Sequence, residues 1–150
     1  MYVQQGLDLK LIDCFYDVQN WDTYHLENDP ALLKQLHQQG ALCVGGFDSD
    51  NQLIAIQVVS NQYIADYPDA KLLQYFYVDA DHQGLGIGTQ LMLSALNSAR
   101  QLNAKQLYIS ATPSQRTVDF YLKQGAQLIA QPDQQLFERE PEDIHLLYTL

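Results

Sequence analysis

The stretch 82-HQGLGIGTQ-90 constrains this chain more than any other segment. It follows the strand-like run 72-LLQYFYV-78 and opens a helical pattern with Leu91, Met92, Ala95, Leu96, Ala99 and Leu102 on one face. One glycine suffices for a strand-to-helix turn, and each further one costs about 0.5–1 kcal/mol of backbone entropy. Glycines at 84, 86 and 88 therefore point to a main chain that something approaches closely. Backbone N–H groups ahead of a helix form a ready anion site. The chain carries a net charge of −10, from 8 Lys+Arg against 18 Asp+Glu. An anion bound here would be gripped by amides rather than by side-chain cations.

The same charge balance argues against nucleic acid as a partner, because neutralising phosphates supplies most non-specific affinity. It argues equally against anionic membrane surfaces. No apolar run approaches the ~18 residues of a membrane span, and MYVQQGLDLK lacks the apolar segment of a signal peptide. Cys14 and Cys43 are too few for a disulfide framework, so a cytoplasmic location with both thiols reduced is expected. At 150 residues, 47% hydrophobic and 17% charged, the chain reads as a single domain, 1–150. No His/Cys/carboxylate spacing indicates a metal.

Along the chain, Leu7, Leu9 and Leu11 alternate and predict a strand over 7–14. The segments 20–26 and 29–40 read as helical, with Asp29 as cap, Pro30 in the first turn and Gly40 at the end. The runs 41–47 and 52–60 flank the turn residues DSDN as an antiparallel hairpin, and 71–78 is a third strand. After the glycine-led helix come a strand at 105–111, a helix at 115–125 closed by Gly125, and strands at 126–131 and 144–150 around a polar loop containing FEREPED. The result is a mixed α/β (α+β) fold. A mainly antiparallel sheet of six to seven strands is flanked by helices, with a β-α-β-α unit at its centre.

Two phosphate loops are excluded. A GxxxxGK[ST] loop needs a lysine, and none lies between Lys71 and Lys105; GxGxxG is not satisfied by GxGxG. The string Gln83-Gly84-Leu85-Gly86-Ile87-Gly88 does satisfy [QR]-x-x-G-x-[GA]. Placed after a strand and before a helix, it resembles the acetyl-coenzyme A loop of the GNAT superfamily of N-acetyltransferases. Downstream, 114-SQRTVDFYLKQGA-126 resembles the family pattern N-x-x-A-x-x-F-Y-x-K-x-G-F, with Phe120, Tyr121, Lys123 and Gly125 in register. The resemblance covers residues 41–150, and 136-LFEREPEDIHLLYTL-150 is similar to the tail of a bacterial subgroup.

The resemblance implies acetyl-coenzyme A as co-substrate, lying between the strand ending at Val78 and the strand around Ile109, which splay apart. Main-chain groups of Phe76 and Val78 would pair with the pantetheine amides. Residues Gly84, Leu85, Gly86, Ile87, Gly88 and Thr89 would take the pyrophosphate, and Gln83 either caps the loop, touches a phosphate or is solvated. Ser114 stands where the family has asparagine and would still reach a pantetheine amide, more shortly; Arg116 and Lys123 either meet the 3′-phosphate or are solvated. Tyr121 would protonate the departing thiolate, unless it is simply an aromatic on the buried stripe of its helix. Trp21 and Tyr24, with Tyr75 and Tyr77, are candidate acceptor contacts. Tyr63 and Tyr67, beside Asp22, Glu27, Asp66 and Asp69, either add to an acidic aromatic pocket or complete a core. No general base stands out: Asp66, Asp69, Asp79, Asp81, His82 and His145 read as surface residues, and a water chain to the backbone or to Tyr75 and Tyr77 is an equal alternative.

The function so implied is acetyl transfer to a primary amine of a small molecule or peptide, with a homodimer as the expected assembly. A non-catalytic acyl-coenzyme A sensor is the alternative. A third reading, acetylation of aminoacyl-tRNA, conflicts with the acidic charge.

Overall fold

The apolar run ending at Val78 becomes the strand around which the rest is arranged. The computed structural model describes residues 1–16 and 23–150. A hairpin of β1 (Tyr2–Gln5) and β2 (Asp8–Leu11) precedes α1 (Thr23–Gln38). Next, β3 (Leu42–Phe47), β4 (Leu53–Val59) and β5 (Ala70–Val78) form an antiparallel meander. Then come α2 (Ile87–Gln101), β6 (Gln106–Ala111), α3 (Gln115–Lys123), β7 (Gln127–Leu128), α4 (Gln134–Arg139) and β8 (Ile144–Thr149). The six-stranded sheet has the order β3-β4-β5-β6-β8-β7, and β5–β6 is its parallel pair. This is the mixed, mainly antiparallel arrangement expected from the sequence, with β5-α2-β6-α3 as the central unit.

The sheet is covered on both faces. On one, Met92, Ala95, Leu96 and Ala99 of α2 and Val118 and Tyr121 of α3 pack on Leu73, Leu107, Ile109, Ile144 and Leu146. On the other, Leu36 of α1 meets Val58 and Tyr75, while Leu136 of α4 joins Leu72 and Tyr108. Alternation along each strand decides which residue serves which face. The α2 stripe read from the sequence is the stripe that is buried, save that Leu102 follows the helix.

Four elements differ from expectation. The N-terminal strand is a hairpin: Gly6, at φ +63°, turns the chain between β1 and β2. The helix of 29–40 does not begin at Asp29. A single α1 runs through Pro30, although proline removes one helical hydrogen bond. Asp29 lies buried within it, 3.3 Å from the His25 ring one turn earlier. The FEREPED loop holds α4, because Asp133 caps it by accepting from the N–H groups of Gln135 and Leu136.

The strand at 126–131 shrinks to Gln127–Leu128. Beyond it the Gln4 side chain takes over: Nε2 donates to the Ile129 carbonyl at 2.7 Å, and Oε1 accepts from the His145 N–H at 3.0 Å. With Tyr2 N–H on the Pro113 carbonyl, these bonds fasten the hairpin beside the sheet.

Candidate active site

Strands β5 and β6 pair only at Ala70–Gln106, Lys71–Leu107 and Leu72–Tyr108. Past that point β5 carries an extra residue: Val59 faces Leu73 and Val58 faces Tyr75, leaving Gln74 unmatched. A bulge of this kind bends and twists its strand. Strand β6 meanwhile stays registered with β8 as far as Ala111–Ile144. The two strands therefore diverge, and a wedge opens between 73–78 and 109–111. The Asp79 N–H donates to the Ile54 carbonyl at 2.8 Å, which fixes the phase of the β4–β5 ladder. Tyr77 and Asp79 turn their amides to β4, so Phe76 and Val78 turn theirs into the wedge. The Phe76 ring points the other way, 5.7 Å from the rings of Phe120 and Tyr121.

From Val78 the chain makes a single 3-10 turn, Ala80–His82, held by the His82 ring against the Asp79 carboxylate at 2.7 Å. That hydrogen bond keeps the Asp79 carboxyl below its ordinary range. Gln83 reaches back and donates to the Val78 carbonyl at 2.9 Å. Gly84 and Gly86 both sit at φ +82°, where other residues are strained, and a Cβ on either would meet nothing within 4 Å. Gly88 differs: a Cβ there would come within 3.3 Å of the Phe120 ring, so this glycine serves helix packing. Gly86 is the N-cap of α2 and offers no side chain, leaving the first-turn amides without a side-chain cap. Exposed Leu85 and half-buried Ile87 complete the loop, and the Thr89 hydroxyl accepts from Gln124 at 3.3 Å.

Helix α3 carries Tyr121 to the wedge. Ser114 is its N-cap, accepting from the Thr117 N–H at 3.1 Å and donating to the Thr117 hydroxyl at 2.8 Å. Its hydroxyl proton is thus already engaged within the helix end. Tyr121 is 5% exposed; burial, then the nearby Tyr77 and Asp143, push its hydroxyl well above the usual phenol range. On the other side, Asp143 precedes β8 and accepts a 2.7 Å hydrogen bond from the Ser110 hydroxyl of β6. Burial raises its carboxyl to about 7; the Ser110 bond works against this, and the neighbouring Glu140 carboxylate works with it.

The chain matches the Acetyltransferase (GNAT) family over residues 9–126. It belongs to that family. Solved GNAT structures share its fold. The GNAT acetyltransferase of Staphylococcus aureus Mu50 superposes with a TM-score of 0.69 at 14% identity, over 87% of this chain and 81% of that one. A GNAT acetyltransferase from Elizabethkingia anophelis, solved with acetyl-CoA bound, gives 0.62 at 18% over 90% and 95%. The PaiA N-acetyltransferase of Thermoplasma acidophilum, solved with coenzyme A, gives 0.64 at 17% over 85% and 74%. No curated protein matches significantly.

Among the described residues of this GNAT domain, no group of three or more His, Cys, Asp or Glu could hold a metal ion. None of its described helices is long and apolar enough to cross a membrane. Tyr75 and Tyr77 lie on the α1 face of β5 with ring centroids 6.2 Å apart. Burial and the Asp29 charge raise both hydroxyls, that of Tyr77 to about 12. Tyr24 is exposed on α1, and Trp21 and Asp22 fall outside the described residues.

The other aromatic and acidic candidates are dispersed. The Tyr67 hydroxyl donates to the Gln131 carbonyl, Asp66 accepts from the Gln134 N–H, and Asp69 pairs with Lys105. Tyr63, Arg116 and Lys123 are exposed. His145 is not a surface residue: it is 2% exposed, with Nδ1 2.9 Å from the Tyr108 hydroxyl.

Sequence reasoning missed Asp143 and Ser110. No local spacing betrays them, since the partners lie 33 residues apart and meet only where β6 pairs with β8. The sole hint is a carboxylate directly before the apolar run 144-IHLL-147.

Proposed function

We propose that this GNAT protein is an N-acetyltransferase that moves acetyl from acetyl-coenzyme A to a primary amine of a small molecule or peptide. The observation that carries the reading is the wedge itself. It presents the unpaired main chain of Phe76 and Val78 beside a helix start with no side-chain cap.

The residues fit the co-substrate. The amides of Phe76 and Val78 offer a strand edge to pantetheine, while the loop Gln83–Thr89 offers main-chain donors to a diphosphate. Open space at Gly84 and Gly86 is where a charged group can approach the backbone without meeting a side chain. Because amides supply the grip, a net charge of −10 is no obstacle. Gln83 holds the Val78 carbonyl and thereby fixes the start of the loop.

When bound, acetyl-coenzyme A supplies the acetyl group as a thioester. Tyr121 keeps its proton at neutral pH, since burial disfavours the phenolate; the same shift makes it a weaker acid than a thiol, so its part in protonating a thiolate rests on positioning. Phe76 and Phe120, packed against its ring, hold that hydroxyl in place. Cys14 and Cys43 are free and exposed, which supports a reducing, cytoplasmic setting.

Calorimetry with coenzyme A and acetyl-coenzyme A tests the reading, followed by mass-spectrometric detection of acetylated amines. Saturable binding of both and transfer to an amine are expected. A protein indifferent to either form of the nucleotide is not an acetyltransferase.

A further inference from the structure

A cavity of about 680 Å³ lies between the N-terminal hairpin and segment 130–145. Val3, Pro132, Phe137 and Pro141 give it apolar walls, and Glu142, Asp143 and His145 give it a polar side. No Lys or Arg among the described residues lines it. The Met1 ammonium at its edge is tied to the carbonyls of Ile12 and Cys14 at 3.0 and 2.9 Å. The side-chain charge of this space is therefore negative.

His145 adds a second demand. The Tyr108 oxygen accepts from the Asp133 N–H at 3.0 Å, so its own proton goes to His145 Nδ1 at 2.9 Å. The hydrogen-bond pattern thus assigns the proton of the neutral imidazole to Nε2. That Nε2 is buried and has no partner among the described residues. A buried donor left so is costly unless something accepts from it.

Asp143 is common to cavity and wedge. It lines the first, and it accepts from the Ser110 hydroxyl at 2.7 Å on the β6 side of the second. Building on the acetyl transfer proposed above, we propose that the cavity receives the acceptor, with Asp143 taking the proton of its ammonium. The acceptor class is a primary amine on an apolar body that also bears a carbonyl or hydroxyl oxygen. The oxygen meets His145 Nε2, the body meets Phe137 and the prolines, and the nitrogen lies on the Asp143 side toward the wedge. A free carboxylate on the acceptor is excluded by Glu142 and Asp143.

The protons balance. The ammonium gives one proton to the Asp143 carboxylate, and the freed lone pair forms the C–N bond at the acyl carbon as the C–S bond breaks. The Tyr121 hydroxyl protonates the thiolate, and the second nitrogen proton, released as the amide forms, restores that hydroxyl. Amide, thiol and one proton on Asp143 result. The groups facing Asp143 are Glu140 and Glu142 of its own turn, Ser110 of β6, Tyr16 beyond β2, Tyr77 of β5 and Tyr121 of α3.

Titration of the full chain with phenylalaninamide and with phenylalanine, in two buffers of different ionisation heat at pH 7, tests this. The amide is expected to bind at least about tenfold tighter and to release protons as Asp143 ionises. Asp143→Asn should abolish that release and cut transfer to phenylalaninamide by about 100-fold or more. Ala130→Trp, at an exposed position on the cavity wall, should weaken amide binding by about tenfold. Neither variant should move coenzyme A affinity by more than about twofold. The proposal is overturned if phenylalaninamide does not bind, if Ala130→Trp leaves its binding as in the parent, or if Asp143→Asn leaves the proton release as in the parent. Failure of the parent protein to bind coenzyme A is a separate result, and it strikes the acetyltransferase reading instead.

Discussion

Ser110, near the end of β6, gives its hydroxyl proton to the Asp143 carboxylate at 2.7 Å across the junction with β8. A hydrogen bond donated to the charged form favours ionisation, and burial opposes it. Burial wins, which leaves the carboxyl at about 7. An acid placed there changes state within the physiological range. With Asp143 as base, kcat/KM should climb through pH 7. Ser110→Ala should move that limb upward by about one pH unit.

The same displacement costs stability, with a defined sign. Below about pH 4 Asp143 is protonated whether folded or unfolded and contributes nothing. Between roughly pH 4 and 7 the unfolded chain ionises first, so stability falls as pH rises. Above pH 7 the full penalty, at most roughly 4 kcal/mol, remains. Subtracting the melting curves of Asp143→Asn from those of the parent isolates this effect from His145, whose burial lowers its own value and acts at acid pH. The variant should gain on the parent from pH 4 to 7 and hold that gain above.

Tyr121→Phe keeps the ring that packs on Phe76 and Phe120 and removes only the hydroxyl. Turnover should drop at least about tenfold, while coenzyme A affinity measured by calorimetry stays within about twofold.

The three loop glycines should separate by mechanism. Gly84→Ala and Gly86→Ala meet no atom but force a side chain into the left-handed region, at about 1 kcal/mol each. Gly88→Ala has ordinary backbone angles but presses on Phe120, at roughly 1–3 kcal/mol. Chemical denaturation resolves these costs. Only the first two should weaken coenzyme A binding with little disturbance of the α3 side.

Ser114→Ala removes the cap of α3 and should cost about 1 kcal/mol in denaturant titrations. Because the hydroxyl proton is already engaged with Thr117, coenzyme A affinity should change by less than about threefold.

What the sequence disclosed was what local pattern controls. The α2 stripe from Leu91 to Ala99, the β3–β4 hairpin and the positive-φ glycines all follow from spacing and turn chemistry. Tertiary contacts decided the rest. Pro30 reads as a helix start, yet α1 continues through it because Leu36 and Asp29 are held against the sheet. Asp133 is an unremarked acid until its oxygens cap α4, and His145 looks solvated until β8 places it beside Tyr108. Asp143 becomes noticeable only when β6 brings Ser110 to it. Neighbours distant in sequence leave no periodic trace.

Gln4 has a consequence for the order in which the molecule is assembled. Its amide fills the gap between Ile129 and His145, and Tyr2 leans on Pro113, so the β1–β2 hairpin finds its seat only after β8 exists. Such distant closures are slow. On the ribosome the hairpin must wait for residues 113–145 to emerge, and the chamber it walls comes into being only then.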